Sequence, residues 1–493
     1  MCIQKNVLIP TPIVVGSEDC LYLNVYRPRT EEGLIYEEKL PVMIFIHYGG
    51  LFTGGITTLL LGPEYFMETG SVILVLMQYR LGSFGFLSTG DSECPGNFGF
   101  KDQRMAMKWV KDYIENFGGN SNSITIFISD SAGALSVHMH MLSPLSKGLF
   151  HRAIVQSGSA IAPYNFPVSD PLEQAREQAK VLKVPNAENL NSSKIIEELR
   201  KVDAITLVES SDKMKFWSVD PLVLFRTAIE PAGPTAFMSE NPIDIVMRGN
   251  YKHVPWMTGV VTNEGTVRAT TILNNSTDLK DLNDRFDELM PKLMEINATK
   301  EELAVFWPKV KNFYFDGKSY VSNSNWQRFV DIFSHRSFYH PFYRTVKAYT
   351  SYADIKKNPI YLYKFAYRGN YSYSVLFSGT TKYYGVSHCD DLVYLFTSPA
   401  IFPARHSEGS VDEKMKDIMV RTFTAFAISG RPKEWTAVPT CQKYTFKPIC
   451  HYQQFSNSSD GKIQIDTSQD FDMAAVKLWD ELKEYKVRTR YDT

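Results

Sequence analysis

The chain has 493 residues, with 53 Lys and Arg against 54 Asp and Glu and a formal net charge of −1. So even a balance lacks the basic bias of a nucleic-acid binder and offers no pull toward anionic membranes. With 44% hydrophobic and 13% aromatic residues, the chain is long and apolar enough to bury a large core without a structural metal, and disorder as its main state is excluded.

Taken in chain order, the start Met1–Asn6 has no basic segment followed by an apolar one, so it does not read as a secretory signal. Read literally, that places the chain in the cytosol. Residues 41–48 and 71–79 are apolar runs of strand length, rich in Val and Ile, and no run approaches the ~18 residues of a membrane span. The spacing of Ala106, Trp109, Val110, Tyr113, Ile114 and Phe117 predicts one apolar face of a helix over 101–117, stopped by Gly118-Gly119. A strand follows at 124–128, then a tight turn at 129–131 and a helix from about Ala132. Further strands are expected at 153–156, 256–261 and 360–367, and a helix at 415–429 that Gly430 and Pro432 end. Strands alternating with helices at this spacing predict an α/β fold, its central sheet mostly parallel and covered on both faces. Residues 170–250 and 270–355 read as helical and loop-rich insertions, so 1–493 is expected to be one domain. Repeats, linkers and zinc-ligand spacings are not visible, and the sequence calls for no metal or cofactor.

The turn is the most informative stretch. In Ser129-Asp130-Ser131-Ala132-Gly133, a serine sits between a buried strand and a helix, where its hydroxyl is held above the sheet next to free helix N–H groups. Residues two before and two after it must be small; Gly133 satisfies this fully, Ser129 only in part. Taken alone, the pattern reads more readily as a capped helix start. Upstream, His47-Tyr48-Gly49-Gly50-Leu51 follows a strand, and a glycine pair lets backbone N–H groups approach a substrate closely. Together the two segments match the parts of an α/β-hydrolase, in which an acid and a histidine follow the serine in that order.

Ser17-Glu18-Asp19-Cys20-Leu21-Tyr22-Leu23-Asn24 resembles the signature of type-B carboxylesterases and cholinesterases. The likeness continues through Pro95-Gly96-Asn97-Phe98-Gly99, Val155-Gln156-Ser157-Gly158-Ser159 and Asn263-Glu264-Gly265 to Gly385-Val386-Ser387-His388. It covers essentially the whole chain, with a texture similar to the insect β-esterase branch. By position, the resemblance implies Ser131 as nucleophile, Glu264 as acid and His388 as base. It implies oxyanion donors at the N–H groups of Gly49, Gly50 and Ala132, and supporting roles for Asp130 and Ser159. Outside that context Glu264 reads as a surface carboxylate and His388 as a capping or core histidine. Tyr48 and Leu51 depart from the common family residues and are expected to reshape the mouth of the site.

The resemblance also implies a disulfide between Cys2 and Cys20; Cys441 and Cys450 are open to a second, leaving Cys94 and Cys389 as thiols. Family members carry residues ahead of the position of Cys2 that form the first strands, so the chain reads as N-terminally truncated. They are also secreted, and the sequons at Asn191, Asn274, Asn275, Asn297, Asn370 and Asn457 mildly favour a secreted glycoprotein. The implied activity is hydrolysis of small apolar or lipid-like carboxylic esters by a serine esterase, with the ester as its small-molecule partner. Residues 3–19 contain no aromatic to stack on a quaternary ammonium, which rejects a choline esterase. Asp130 stands where juvenile hormone esterases have Gln, which weakens that assignment. The rival from another class is a non-catalytic adhesion protein of the same fold.

Overall fold

The computed structural model describes residues 1–7, 12–29, 33, 38–128, 131–433, 435–438, 451–469 and 471–485. Two short antiparallel strands, β1 (Gln4–Lys5) and β2 (Val14–Val15), lie beside the disulfide that joins Cys2 to Cys20. The central sheet holds β3 (Leu23–Tyr26), β4 (Leu40–Ile46), β5 (Ile73–Met77), β6 (Gly119–Ile128) and β7 (Arg152–Gln156). It continues with β8 (Trp256–Val261), β9 (Ile360–Phe365), β10 (Tyr452–Asn457) and β11 (Ile463–Ser468). Their spatial order is β3-β5-β4-β6-β7-β8-β9-β10-β11. From β5 to β10 neighbours run parallel; β3 and β11 close the two edges antiparallel.

The apolar runs read as strands because both faces of the sheet are covered. Side chains alternate across a strand, so Val42, Ile44 and Ile46 enter one core while Met43 and Phe45 enter the other. Ile73, Val75 and Met77 divide from Leu74 and Leu76 in the same way. A third core lies among the helices between 266 and 333, with Leu282, Leu289, Val310 and Phe329 fully buried.

Three expectations change. The helix expected at 101–117 spans Phe98–Tyr113, and its buried side is Phe100, Gln103, Met107 and Val110. Trp109 packs against the edge of the core, and Tyr113 and Phe117, 50% and 41% exposed, lie against its ring at tilted angles. The helix expected from 415 begins at Val411, where the Ser410 side chain accepts from the Glu413 N–H. Strands β3, β10 and β11 are not visible in the sequence pattern: β3 and β11 are edges, which need no continuous apolar run, and β10 (YQQFSN), paired with β11 (IQIDTS) beside that edge, is equally polar. Residues 439–450, and with them Cys441 and Cys450, lie outside the described residues; Cys94 and Cys389 are buried thiols.

Candidate active site

The carboxyl end of the parallel sheet collects the residues that the sequence singled out, which is where open α/β sheets place their sites. Strand β6 ends at Ile128 and the helix Ala132–Leu142 begins four residues later. Ser131, at the join, has φ 62° and ψ −126°, a conformation costly for a residue with a side chain. Contacts on both sides hold it there. Its N–H donates to the Ser157 carbonyl at 2.9 Å, and its own carbonyl accepts from Leu135 N–H at 2.9 Å. A Cβ on Gly158 would stand 2.6 Å from the Ser131 carbonyl oxygen, so a glycine is required where the two loops touch. Ala132 is the first residue of the helix, and its N–H has no acceptor within it. Ser129 and Asp130 lie outside the described residues, so the small-residue test at Ser129 and the role read for Asp130 both rest on sequence alone.

Glu264 and His388 come from two loops tied together at the ends of β8 and β9. Asn263 N–H donates to the Val386 carbonyl at 2.9 Å, and Thr266 Oγ1 lies 2.7 Å from Ser387 Oγ. Gly385 packs so closely that a Cβ there would meet Asn263 Oδ1 at 2.1 Å. On this frame Glu264 is fully buried, with Oε1 accepting from Val261 N–H at 2.9 Å and Oε2 lying 2.6 Å from His388 Nδ1. That contact fixes Nδ1–H as the donor and makes Nε2 the basic nitrogen. His388 Nε2 is buried and has no hydrogen-bond partner among the described residues. His388 and Ser131 line the same cavity, of about 150 Å³. Catalytic hydrogen bonds are often open until a substrate closes them.

Gly49 and Gly50 face that cavity too. Gly49 has φ 113°, and a Cβ there would collide with the Thr53 carbonyl oxygen at 2.0 Å. The turn is clamped by Phe52 and Thr53 N–H donating to the Gly49 carbonyl, and by Gly82 N–H donating to Leu51. Beneath it His47 is buried and stacked on Tyr79 at 4.3 Å, with Nδ1 against the Tyr48 carbonyl at 2.9 Å. Burial lowers its pKa to about 4, so it is a neutral prop and not a base at neutral pH. Tyr48 lines the cavity as expected, whereas Leu51 turns into the core.

Ser159 needs a correction. Its hydroxyl lies 2.9 Å from Thr345 Oγ1 and 3.4 Å from His138 Nδ1, not against Glu264. Ser157 has φ 52°, and past this left-handed residue the Ser159 hydroxyl joins His138 and Thr345. Ser157 is the residue at the junction: its carbonyl holds Ser131 and its N–H reaches the Gly259 carbonyl at 2.9 Å. The motif contained it, but nothing in the sequence separates the two serines. Also missed were the cavity walls, Phe338 and Phe377 beside His388 (rings at 4.9 and 6.5 Å), and the charged Asp220, Arg268 and Glu295. Among the described residues no group of three or more His, Cys, Asp or Glu is placed to hold a metal, and no helix is long and apolar enough to cross a membrane.

A parallel sheet carrying a strained serine at a strand–helix turn, with a buried Glu–His pair on later loops, defines an α/β-hydrolase. The carboxylesterase family model matches residues 1–479, and the chain belongs to that family. It is 38% identical to the juvenile hormone esterase of Tribolium castaneum over 97% of this chain and 82% of that one. It is also 36% identical to venom carboxylesterase-6 of Apis mellifera over 85% of this chain and 72% of that one. The crystal structure of juvenile hormone esterase from Manduca sexta, with OTFP covalently attached, superposes with a TM-score of 0.78. That match covers 98% of this chain and 88% of the other at 22% identity, a likeness of fold. The protein is thus a carboxylic ester hydrolase, and the non-catalytic alternative finds no support.

Proposed function

We propose that Ser131, His388 and Glu264 form the catalytic triad of this esterase. The observation that carries the reading is the buried Glu264–His388 contact of 2.6 Å in a cavity that Ser131 also lines. In this mechanism His388 Nε2 takes the proton of Ser131 as its oxygen attacks the ester carbonyl carbon. The negative charge that develops on the carbonyl oxygen is held by the N–H groups of Gly49, Gly50 and Ala132. His388 then delivers the proton to the departing alcohol oxygen, leaving an acyl-Ser131 ester. A water molecule, deprotonated by the same nitrogen, attacks that ester; the acid leaves and Ser131 recovers its proton. Glu264 holds Nδ1–H and stabilises the imidazolium formed in each half.

The substrates would be apolar or lipid-like esters, since the walls include Leu222, Val223, Val267, Leu293 and Phe338. The names of the relatives, juvenile hormone esterase and venom carboxylesterase, are compatible with that class, although Asp130 still separates this chain from the usual juvenile hormone esterase motif. A secreted location is supported by the Cys2–Cys20 disulfide, which persists in oxidising compartments, and by exposed sequon asparagines at 191, 274, 275, 297 and 370. Asn457 is a poorer acceptor, being only partly exposed and engaged with the Arg368 backbone; the Asn274 amide is engaged as well, with the Thr270 carbonyl and the Tyr384 hydroxyl. The test is pre-steady-state hydrolysis of p-nitrophenyl acetate with acid quench. A burst of one equivalent and an acetyl group mapped to Ser131 are expected; steady turnover with the acetyl group on another residue would overturn the assignment.

A further inference from the structure

Charge is unusual in the wall of an apolar ester site, and this cavity contains it at Asp220, Arg268 and Glu295. Arg268 is 4% exposed and Asp220 6% exposed. Arg268 Nε donates to Asp220 Oδ2 at 2.8 Å, Nη2 donates to the same oxygen, and Nη1 turns to Thr271 Oγ1. A guanidinium facing a carboxylate side-on fills both oxygens; here both donors fall on one. Asp220 Oδ1 accepts no hydrogen bond from the described residues. Glu295 repeats the pattern: Arg226 Nη1 pairs with Oε2, and Oε1 has no donor among the described residues. The charges cancel in pairs, so the wall offers acceptors without net charge. The Glu295 side chain is 24% exposed, so water serves such acceptors in the free enzyme, and a donor on the ligand can take its place.

We infer that Asp220 and Glu295 form a specificity site for a neutral hydroxyl group carried by the ester at a distance from its carbonyl. The inference rests on the serine esterase reading above and narrows it. Each carboxylate is already neutralised by an arginine, so an ammonium group would add an unbalanced charge, and an ether or ketone would bring another acceptor to acceptors; a hydroxyl supplies the missing donor at no charge. Two ion pairs buried only for stability would not discriminate between such substrates.

The test compares esters with a terminal hydroxyl against the same esters with a terminal methoxy group, over chains of four to ten carbons. One series carries the group on the acyl side and a second on the alcohol side. At the best length, kcat/KM is expected to favour hydroxyl by at least about tenfold, the worth of a hydrogen bond to a charged group. Asp220→Asn and Glu295→Met, measured singly, are expected to bring that ratio to within about threefold of unity in at least one case. Fluorophosphonate labelling of Ser131 in each variant reports that it is folded. A ratio near one at every length in both series, or a ratio that neither variant moves, overturns the inference while leaving the esterase assignment standing. Absence of labelling in the folded wild-type protein would instead remove the assignment on which it rests.

Discussion

The two halves of the cavity are built differently. The reacting half comes from the ends of β4, β6, β8 and β9, strands with mostly buried residues, and its loops are stitched by backbone hydrogen bonds. Much of the opposite wall comes from residues between 220 and 338, on helices and irregular segments; Leu293 and Phe333 belong to the helical core, Val223 and Phe338 to the core on one face of the sheet. Sheet ends fix atoms to the precision that proton transfer needs, while the insertions choose what enters. Substitutions in the first half should therefore strike the rate of chemistry, and those in the second the preference among substrates.

Ser131→Ala breaks the comparison most sharply. A loss of about 10⁶ in kcat is expected with KM little changed, read from hydrolysis of a chromogenic ester. Glu264→Gln comes next, at about 10⁴ in kcat, because the amide favours the wrong imidazole tautomer. A much larger residual activity would be at odds with the buried Oε2–Nδ1 contact as a strong constraint.

Stability should depend on pH as well, since buried neutral histidines pack beside the sheet: His47 just after β4, and His138 and His140 on the helix that follows Ser131. Burial holds His47 at about 4 and His138 and His140 at about 3, against 6.5 when unfolded. Below pH 6.5 the unfolded chain takes up protons that the folded chain refuses, so stability is lost as pH falls from 6.5 toward 4. Between pH 7 and 5 each contributes roughly 2 kcal/mol of loss, about 6 kcal/mol for the three. Urea unfolding at pH 7, 6 and 5 measures this, and a flat profile would mean that these histidines are charged in the fold.

Gly49→Ala should cost about 10²–10³ in kcat by pushing the turn off the Thr53 carbonyl and displacing an oxyanion donor. Its unfolding midpoint tells loss of geometry from loss of fold. The smallest effect is expected away from both halves: Cys2→Ser with Cys20→Ser should lower stability by about 3 kcal/mol, the entropic worth of an 18-residue loop, with kcat kept in the folded enzyme. Thermal unfolding with and without the bridge gives the number.

How far the sequence could be read follows the same division. Strands β4, β5 and β8 were legible because two covered faces demand unbroken apolar runs, and the serine turn because a sharp bend leaves small residues behind. Polar edge strands such as β11 leave neither mark. Glu264 and His388 lie 124 residues apart and were found only through the family motif, since one buried carboxylate among 54 acidic residues has no signature of its own. Ser157 and Ser159 sit two residues apart on one motif, and only the left-handed turn at Ser157 decides which of them meets the nucleophile's loop. The wall was illegible altogether: Asp220, Arg268 and Glu295 converge from segments whose pattern says only that they are helical or irregular.

The central claim is that Ser131 is a nucleophile activated by His388. Fluorophosphonate labelling of the purified protein, with the adduct located by mass spectrometry and folding checked by circular dichroism, tests it without any choice of substrate. One label per chain on Ser131, abolished in His388→Ala, is the predicted result. A folded protein that takes no label, or takes it elsewhere, would contradict it.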